Sequence, residues 1–261
     1  MVSAMDWFKR NWRALSFVGG LIGVWAIVTA LRLVDPIVLP APWNVAGAVP
    51  GMLRERLFAD IAWTLGRVLA ALVVACVFGI PAGLFLGYRQ RAYKVVEGPL
   101  HALRSIPASA LFPLFLIVAG VGETSIVSLA AYPSLLVIMV NAVSGAALAN
   151  QCRLYQARLL NLNSLQTVFD VLFYEALPSI FDGIRTAVSY SLLLVVAVEM
   201  FIGLGERGLG RGIYLYQSSY RIPETYGAIM IAGMIGILLN WVVTKLQHHM
   251  LRWLPNVRED Q

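Results

Sequence analysis

Charged side chains are scarce in this sequence: Asp, Glu, Lys and Arg make up 13% of its 261 residues, against roughly a quarter in soluble domains. Hydrophobic residues reach 59% and the mean hydropathy is +0.74, which excludes an ordinary water-soluble domain. Cysteine is nearly absent. Cys76 falls inside an apolar run and Cys152 in a polar connector, so a disulfide framework is excluded and nothing speaks for secretion. The only histidines are His101, His248 and His249, and none stands in the His-Glu-x-x-His pattern of a zinc protease helix. With no histidine in mid-span, a buried serine nucleophile would also lack its base. No Gly-Lys-Ser or Gly-Lys-Thr string occurs, so the chain has no phosphate-binding loop for ATP. No catalytic residue, metal ligand or cofactor is expected on this polypeptide.

Long apolar runs are what the sequence has instead, recurring at lengths near the ~20 residues that cross a bilayer. Stretches such as Leu69–Phe78 and Ser191–Val198 are apolar on every side rather than alternating, so the spans are helices and not strands of a barrel. The N-terminus carries Lys9, Arg10 and Arg13 ahead of an apolar run from Leu15 to Leu31. That run exceeds the ~7–15 residues of a signal-peptide core and reads as an uncleaved first helix. Six spans follow: 16–33, 61–86, 108–121 (starting behind Pro107), 126–147, 184–202 and 228–246. Between the first two, LPAPWNVAGAVPGMLRERLF is too broken by proline to cross and is expected at the membrane surface. The expected organisation is an N-terminal segment over 1–15, an all-α transmembrane domain over 16–248 with a connector at 150–183, and a tail over 249–261.

Charge sets the expected orientation. On this map the N-terminal side collects thirteen basic and seven acidic residues, and the opposite side six of each. The whole excess of +6 lies on one face, so both termini are expected in the cytoplasm. The same bias accounts for the pI of 9.5 without any nucleic-acid partner. Two charges remain inside the spans, Arg67 and Glu199, at similar depth near the outer end. Burying either alone costs at least ~2.5–3.5 kcal/mol, so they are expected to pair with each other or to line a gate or solute path. Gly79, Gly83 and Gly87 recur every four residues and predict close helix packing. Arg207 and Arg211, in the glycine-rich GLGERGLGRG, are placed to meet an incoming anion or a docking protein.

The connector reads NQCRLYQARLLNLNSLQTVFDVLFYEALPSIFDG. Leu154, Ala157 and Leu160, and then Leu165, Val168, Phe169 and Leu172, recur at helical spacing on either side of Asn161-Leu162-Asn163-Ser164. A helix, a left-handed turn at Asn161 and a second helix are predicted, because Asn tolerates left-handed dihedrals at a helix C-terminus. Such a hairpin leaves an apolar face that must dock on the bundle, on another subunit, or on both.

This connector resembles the EAA loop of the permease subunits of binding-protein-dependent ABC importers, with Leu177-Pro178 at the family's closing Leu-Pro. Tyr155, Gln156, Asn161 and Tyr174 stand where the family has Glu, Ala, Gly and Pro. LPAPWNV, TLGRVLAALVVACVFGIPAGLFLGYRQR, RSIPASALFPLFLIVAGVGETSIV and GIRTAVSY follow in the family's order, similar to the branch for sulfonates, taurine, nitrate and bicarbonate. The resemblance spans 39–253 and implies a type I ABC importer permease fold in a bacterial inner membrane. It implies ATP and Mg on a separate ATPase dimer, a second permease copy, most simply a homodimer, and a periplasmic or extracellular solute-binding protein. It also implies ATPase coupling through Tyr155, Ala157, Arg158, Asn161, Leu162, Asn163, Ser164 and Thr167, with Asn161 in the place of the turn glycine. Three alternatives stay open: a secondary transporter coupled to protons through Glu199, an ABC permease for an unrelated small organic solute, and a membrane scaffold.

Overall fold

In the computed structural model, residues 4–201 and 207–253 are described, and every regular element among them is a helix. In chain order these are α1 (Ala4–Ala30), α2 (Pro42–Glu55), α3 (Leu57–Tyr88), α4 (Gln90–Ser105), a 3-10 turn (Ala108–Leu111), α5 (Phe112–Ala119) and α6 (Glu123–Ala147). Then come α7 (Gln151–Leu159), α8 (Ser164–Gln166), a π-helical stretch (Thr167–Leu172), α9 (Phe173–Phe201), α10 (Leu209–Ser218) and α11 (Ile222–Met250). Four of these are long and apolar enough to cross a membrane: Leu57–Tyr88, Glu123–Ala147, Ser164–Phe201 and Ile222–Met250. The pair Gln90–Ser105 and Ala108–Ala119, bent by 84°, makes a fifth if counted as one broken span, and Ser16–Ala30 is a shorter apolar helix.

The broken span has a local cause. Pro107 clashes with a helical residue before it, and Ile106 accordingly takes extended dihedrals, φ −74° and ψ 122°. The span expected at 108–121 is therefore a 3-10 turn followed by eight residues of α-helix, ended by Gly120 and Gly122 at φ 78° and 156°. Between α2 and its neighbours no spanning length arises, because α2 is a 14-residue helix with Pro50 inside it.

The chain divides into two compact units, one comprising Met1–Phe58 and Gly212–Ile231, the other Ala59–Arg211 and Ala232–Gln261. In the first, Trp25 Nε1 donates to the Pro40 carbonyl at 3.0 Å and stacks on Tyr226, whose hydroxyl donates to the Val38 carbonyl at 2.9 Å. Arg221 forks onto Glu55 at 2.9 and 3.1 Å, and its hydrogen bonds hold the Glu55 carboxyl below its ordinary pKa.

In the second unit α6 packs along α9, with Gly145 against Ala176 and Ser179, and Gly183 against Asn141. Leu84, Ala142, Ala146, Val168, Leu172, Ala176 and Ile180 form one apolar cluster there. The glycine stripe of α3 faces α6: a Cβ on Gly83 would lie 2.4 Å from the Met139 carbonyl oxygen, and one on Gly87 2.4 Å from Ala146 Cβ. The sequence reads the stretch after the Asn161 turn as a separate arm ending before 184. Instead, Ser164 to Phe201 is one run of 38 residues, with Pro178 inside it. The apolar spacing of Val168 and Leu172 continues without interruption through Ala176 and Ile180 onto the same neighbours, and that packing outweighs the donor lost at the proline.

Candidate functional site

Two places carry the chain's unusual chemistry, and the first lies at the start of α3. Asp60, Thr64 and Arg67 sit at i, i+4 and i+7, on one face of an otherwise apolar helix. Arg67 is 4% exposed and Glu199 3%. They pair, with Arg67 Nη1 2.6 Å from Glu199 Oε1. The other edge of the guanidinium forks onto Glu123, at 2.7 Å from Nε and 2.5 Å from Nη2, and Nη1 also donates to the Arg207 carbonyl at 2.9 Å. Five rigid donors in a plane suit arginine to holding two carboxylates at once. Trp63 lies under the guanidinium at 5.5 Å.

The remaining acceptors of this cluster close the start of α10. Gly208, Leu209 and Gly210 donate their backbone N–H groups to Asp60, Thr64 and Glu199 at 3.0, 2.9 and 2.9 Å. A helix start leaves its first N–H groups without internal partners, and here side chains from α3 and α9 supply all three acceptors. Gly210 is required, since an added Cβ would lie 2.1 Å from the Val196 carbonyl oxygen. Gly208 adopts φ 140°. Sequence reasoning names Arg67 and Glu199 but misses Glu123, Asp60 and Thr64. The polar triplet at i, i+4 and i+7 of an apolar helix was the signal for the last two. The side chain of Arg207 is exposed, so it stands apart from this cluster, and residues 202–206, including Glu206, lie outside those described.

The second place is the turn at Asn161. Asn150 opens α7 by accepting from the Cys152 N–H at 2.9 Å. At its other end the N–H of Leu162 donates to the Ala157 carbonyl at 3.1 Å and that of Asn161 to Arg158 at 3.0 Å. With Asn161 at φ 55°, this is a Schellman close. Asn163 immediately caps the next helix in a reciprocal capping box with Gln166, at 2.8 and 2.9 Å. Arg153 pairs with Glu175, whose other oxygen accepts the Asn150 N–H, so the short helix is fastened to the start of α9. Tyr155, Leu159, Leu160 and Leu165 all point outward, Leu159 at 82% and Leu160 at 73% exposure. Ala157 and Thr167 are buried and face inward, while Leu162 is half-buried. Arg158 lies 5.5 Å from the Tyr155 ring. A short helix that leaves large apolar side chains uncovered by its own chain offers a contact surface.

Residues 79–254 match the family described as binding-protein-dependent transport system inner membrane component. The chain belongs to this family. It is similar to the taurine transport system permease protein of Escherichia coli, 28% identical over 91% of this chain and 88% of that protein. The nitrate import permease protein of a Synechocystis strain is 30% identical over 84% of this chain and 78% of its own length. Among solved structures, the MetNI methionine ABC transporter in an inward-facing conformation matches with TM-score 0.64 at 19% identity, over 75% of this chain and 97% of that one. This permease is thus a multi-pass inner-membrane protein with the type I ABC importer fold, and the relatives it matches are transport permeases.

Proposed function

We propose that this permease forms half of the translocation path of an ATP-driven importer for a small anionic solute, of the sulfonate, nitrate or taurine kind, delivered by a binding protein. ATP and Mg sit on a separate ATPase dimer, and a second copy of this chain completes the path. The observation that carries this reading is the Asn161 turn. It is closed at both ends by its own hydrogen bonds, fastened to α9 through Arg153 and Glu175, and covered in exposed leucines. A movement imposed on α7 by a partner therefore reaches α9 as a rigid-body displacement, because the run from Ser164 to Phe201 is one helix. Tyr155, Arg158, Asn163 and Ser164 offer the contact surface, while Ala157, Leu162 and Thr167 anchor it. At the far end of α9, Glu199 and Arg67 would act as the gate. The alternative of proton coupling through Glu199 is disfavoured because Arg67, Thr64 and Gly210 already donate to its oxygens.

Cysteines at Asn163 or Ser164 should cross-link to a separate ATPase subunit in the assembled complex, and uptake in proteoliposomes should require ATP rather than a proton gradient. Capture of the permease alone, or uptake driven by the gradient, would sink this reading.

A further inference from the structure

Two adjoining cavities carry cations and no carboxylate. One, of about 480 Å3, is lined by Arg185, Thr186, Ser189, Tyr190 and Leu193 of α9 and by Asn240 of α11. The other, of about 550 Å3, shares Tyr190 and Leu193 and reaches His101, Arg104, Ser105 and Ser109 at the broken span. The cavity beside Arg67 contains Glu123, and the one beside Arg153 contains Asp170 and Glu175. Arg67, Arg153 and Arg221 each have a carboxylate partner. Among the described residues, no ion pair joins a carboxylate to Arg185 or Arg104.

Arg185 is held in place without being neutralised. Its Nη2 donates to Gln247 Oε1 at 2.5 Å, while its Nε is buried without an acceptor. A cation serving only the inward charge bias would leave its nitrogens in headgroup water. Ser189 and Tyr190 lie on the same stretch of helix. Ser189 Oγ accepts from Asn240 Nδ2 at 3.3 Å, which leaves its own proton to donate, and the Tyr190 hydroxyl has no partner among the described residues. Asn240 Nδ2 also donates to the Gly236 carbonyl at 3.1 Å, which fixes the orientation of the amide. The result is a guanidinium and two hydroxyl donors around one groove, with no competing negative charge. Arg185, Ser189 and Tyr190 all come from GIRTAVSY, a motif to which the coupling mechanism gives no task.

We infer that these cavities form an oxyanion site on the solute path, with Arg185 as its cation and Ser189 and Tyr190 as donors. This rests on the permease reading above and names the residues that meet the solute. The occupant is the transported anion, and a lipid phosphate is the rival source of the same chemistry.

The test uses the assembled transporter with its ATPase and binding protein. ATP-driven uptake of labelled taurine, nitrate and bicarbonate is measured in proteoliposomes, together with ATP hydrolysis. Thermal shift of the detergent-solubilised complex is titrated with the same three anions. Arg185→Gln should lower uptake about tenfold or more and abolish the shift, because a charge-assisted hydrogen bond is lost, while ATP hydrolysis stays within about twofold. Arg185→Lys should retain most of both. Gln247→Leu, which removes only the hydrogen bond that positions Arg185, should bind and transport far better than Arg185→Gln. Wild-type uptake by Arg185→Gln overturns the anion site and leaves the permease reading standing. Equal losses in Gln247→Leu and Arg185→Gln, or a shift that appears only with added anionic lipid, overturn it as well. Absence of ATP-driven uptake in the wild type overturns the proposed ATP-driven anion import, and a persisting Arg185-dependent shift would then still support the site.

Discussion

Arg67 donates to two carboxylates that are not equivalent, since Glu199 is sealed from solvent and the Glu123 side chain is 52% exposed. The asymmetry decides what a substitution does. Arg67→Leu strands Glu199 in the interior with only Thr64 and Gly210 as donors, a loss expected to reach about 3–5 kcal/mol. Glu199→Leu leaves Arg67 still paired with Glu123, so its loss should be smaller even though Gly210 then lacks an acceptor. The double change removes both buried charges and should cost less than the sum. Thermal unfolding of the purified complex for the two single variants and the double variant gives the coupling term. Strict additivity, or a larger loss for Glu199→Leu, would contradict this arrangement. The sequence alone identifies the pair because both charges interrupt apolar runs at matching depth. Glu123 escapes notice because it sits at the first position of α6, where an acidic residue is unremarkable at a helix start.

Among the helices, the seam between α3 and α6 is decided by the absence of side chains. A Cβ on Gly83 meets backbone at 2.4 Å, whereas one on Gly66 of the same helix meets nothing within 4 Å. Gly83→Ala should therefore push the helices apart and destabilise by about 1–3 kcal/mol, as overpacking does. Gly66→Ala should be neutral or stabilising by up to about 1 kcal/mol, from helix propensity. Denaturation of the two variants side by side checks this, and equal effects would show that the stripe is not the contact. The four-residue glycine spacing makes this seam legible in the sequence. The continuity of the run from Ser164 to Phe201 is not, because Pro178 and the polar residues around it look like a boundary until the neighbours that bury Ala176 and Ile180 are known.

For the whole molecule, the charge count assigns Cys152 and both termini to the cytoplasmic side and Asp35 to the other. In right-side-out vesicles of a Cys76→Ala protein, exposed Cys152 should react with a membrane-impermeant maleimide only after permeabilisation. A cysteine introduced at Asp35 in a background without Cys152 should react before it. The reverse pattern would invert the topology. This prediction follows from the sequence because insertion responds to the distribution of Lys and Arg along the chain, a property that needs no folded contact.

Sequence alone determined that this chain lives in a bilayer, that it does so as helices, that α3 carries a packing stripe and that a left-handed turn falls at Asn161. Each of these is a consequence of local composition or spacing, which is readable residue by residue. Tertiary structure alone decided that Arg67 also holds Glu123, that Asp60, Thr64 and Glu199 cap α10, and that Arg185 faces a groove with Asn240. Those contacts join residues from 11 to 148 positions apart, and no periodicity constrains which distant side chain a helix face will meet. Burial in a medium without water then makes each such meeting matter, because a polar group left without a partner there has nothing else to bond.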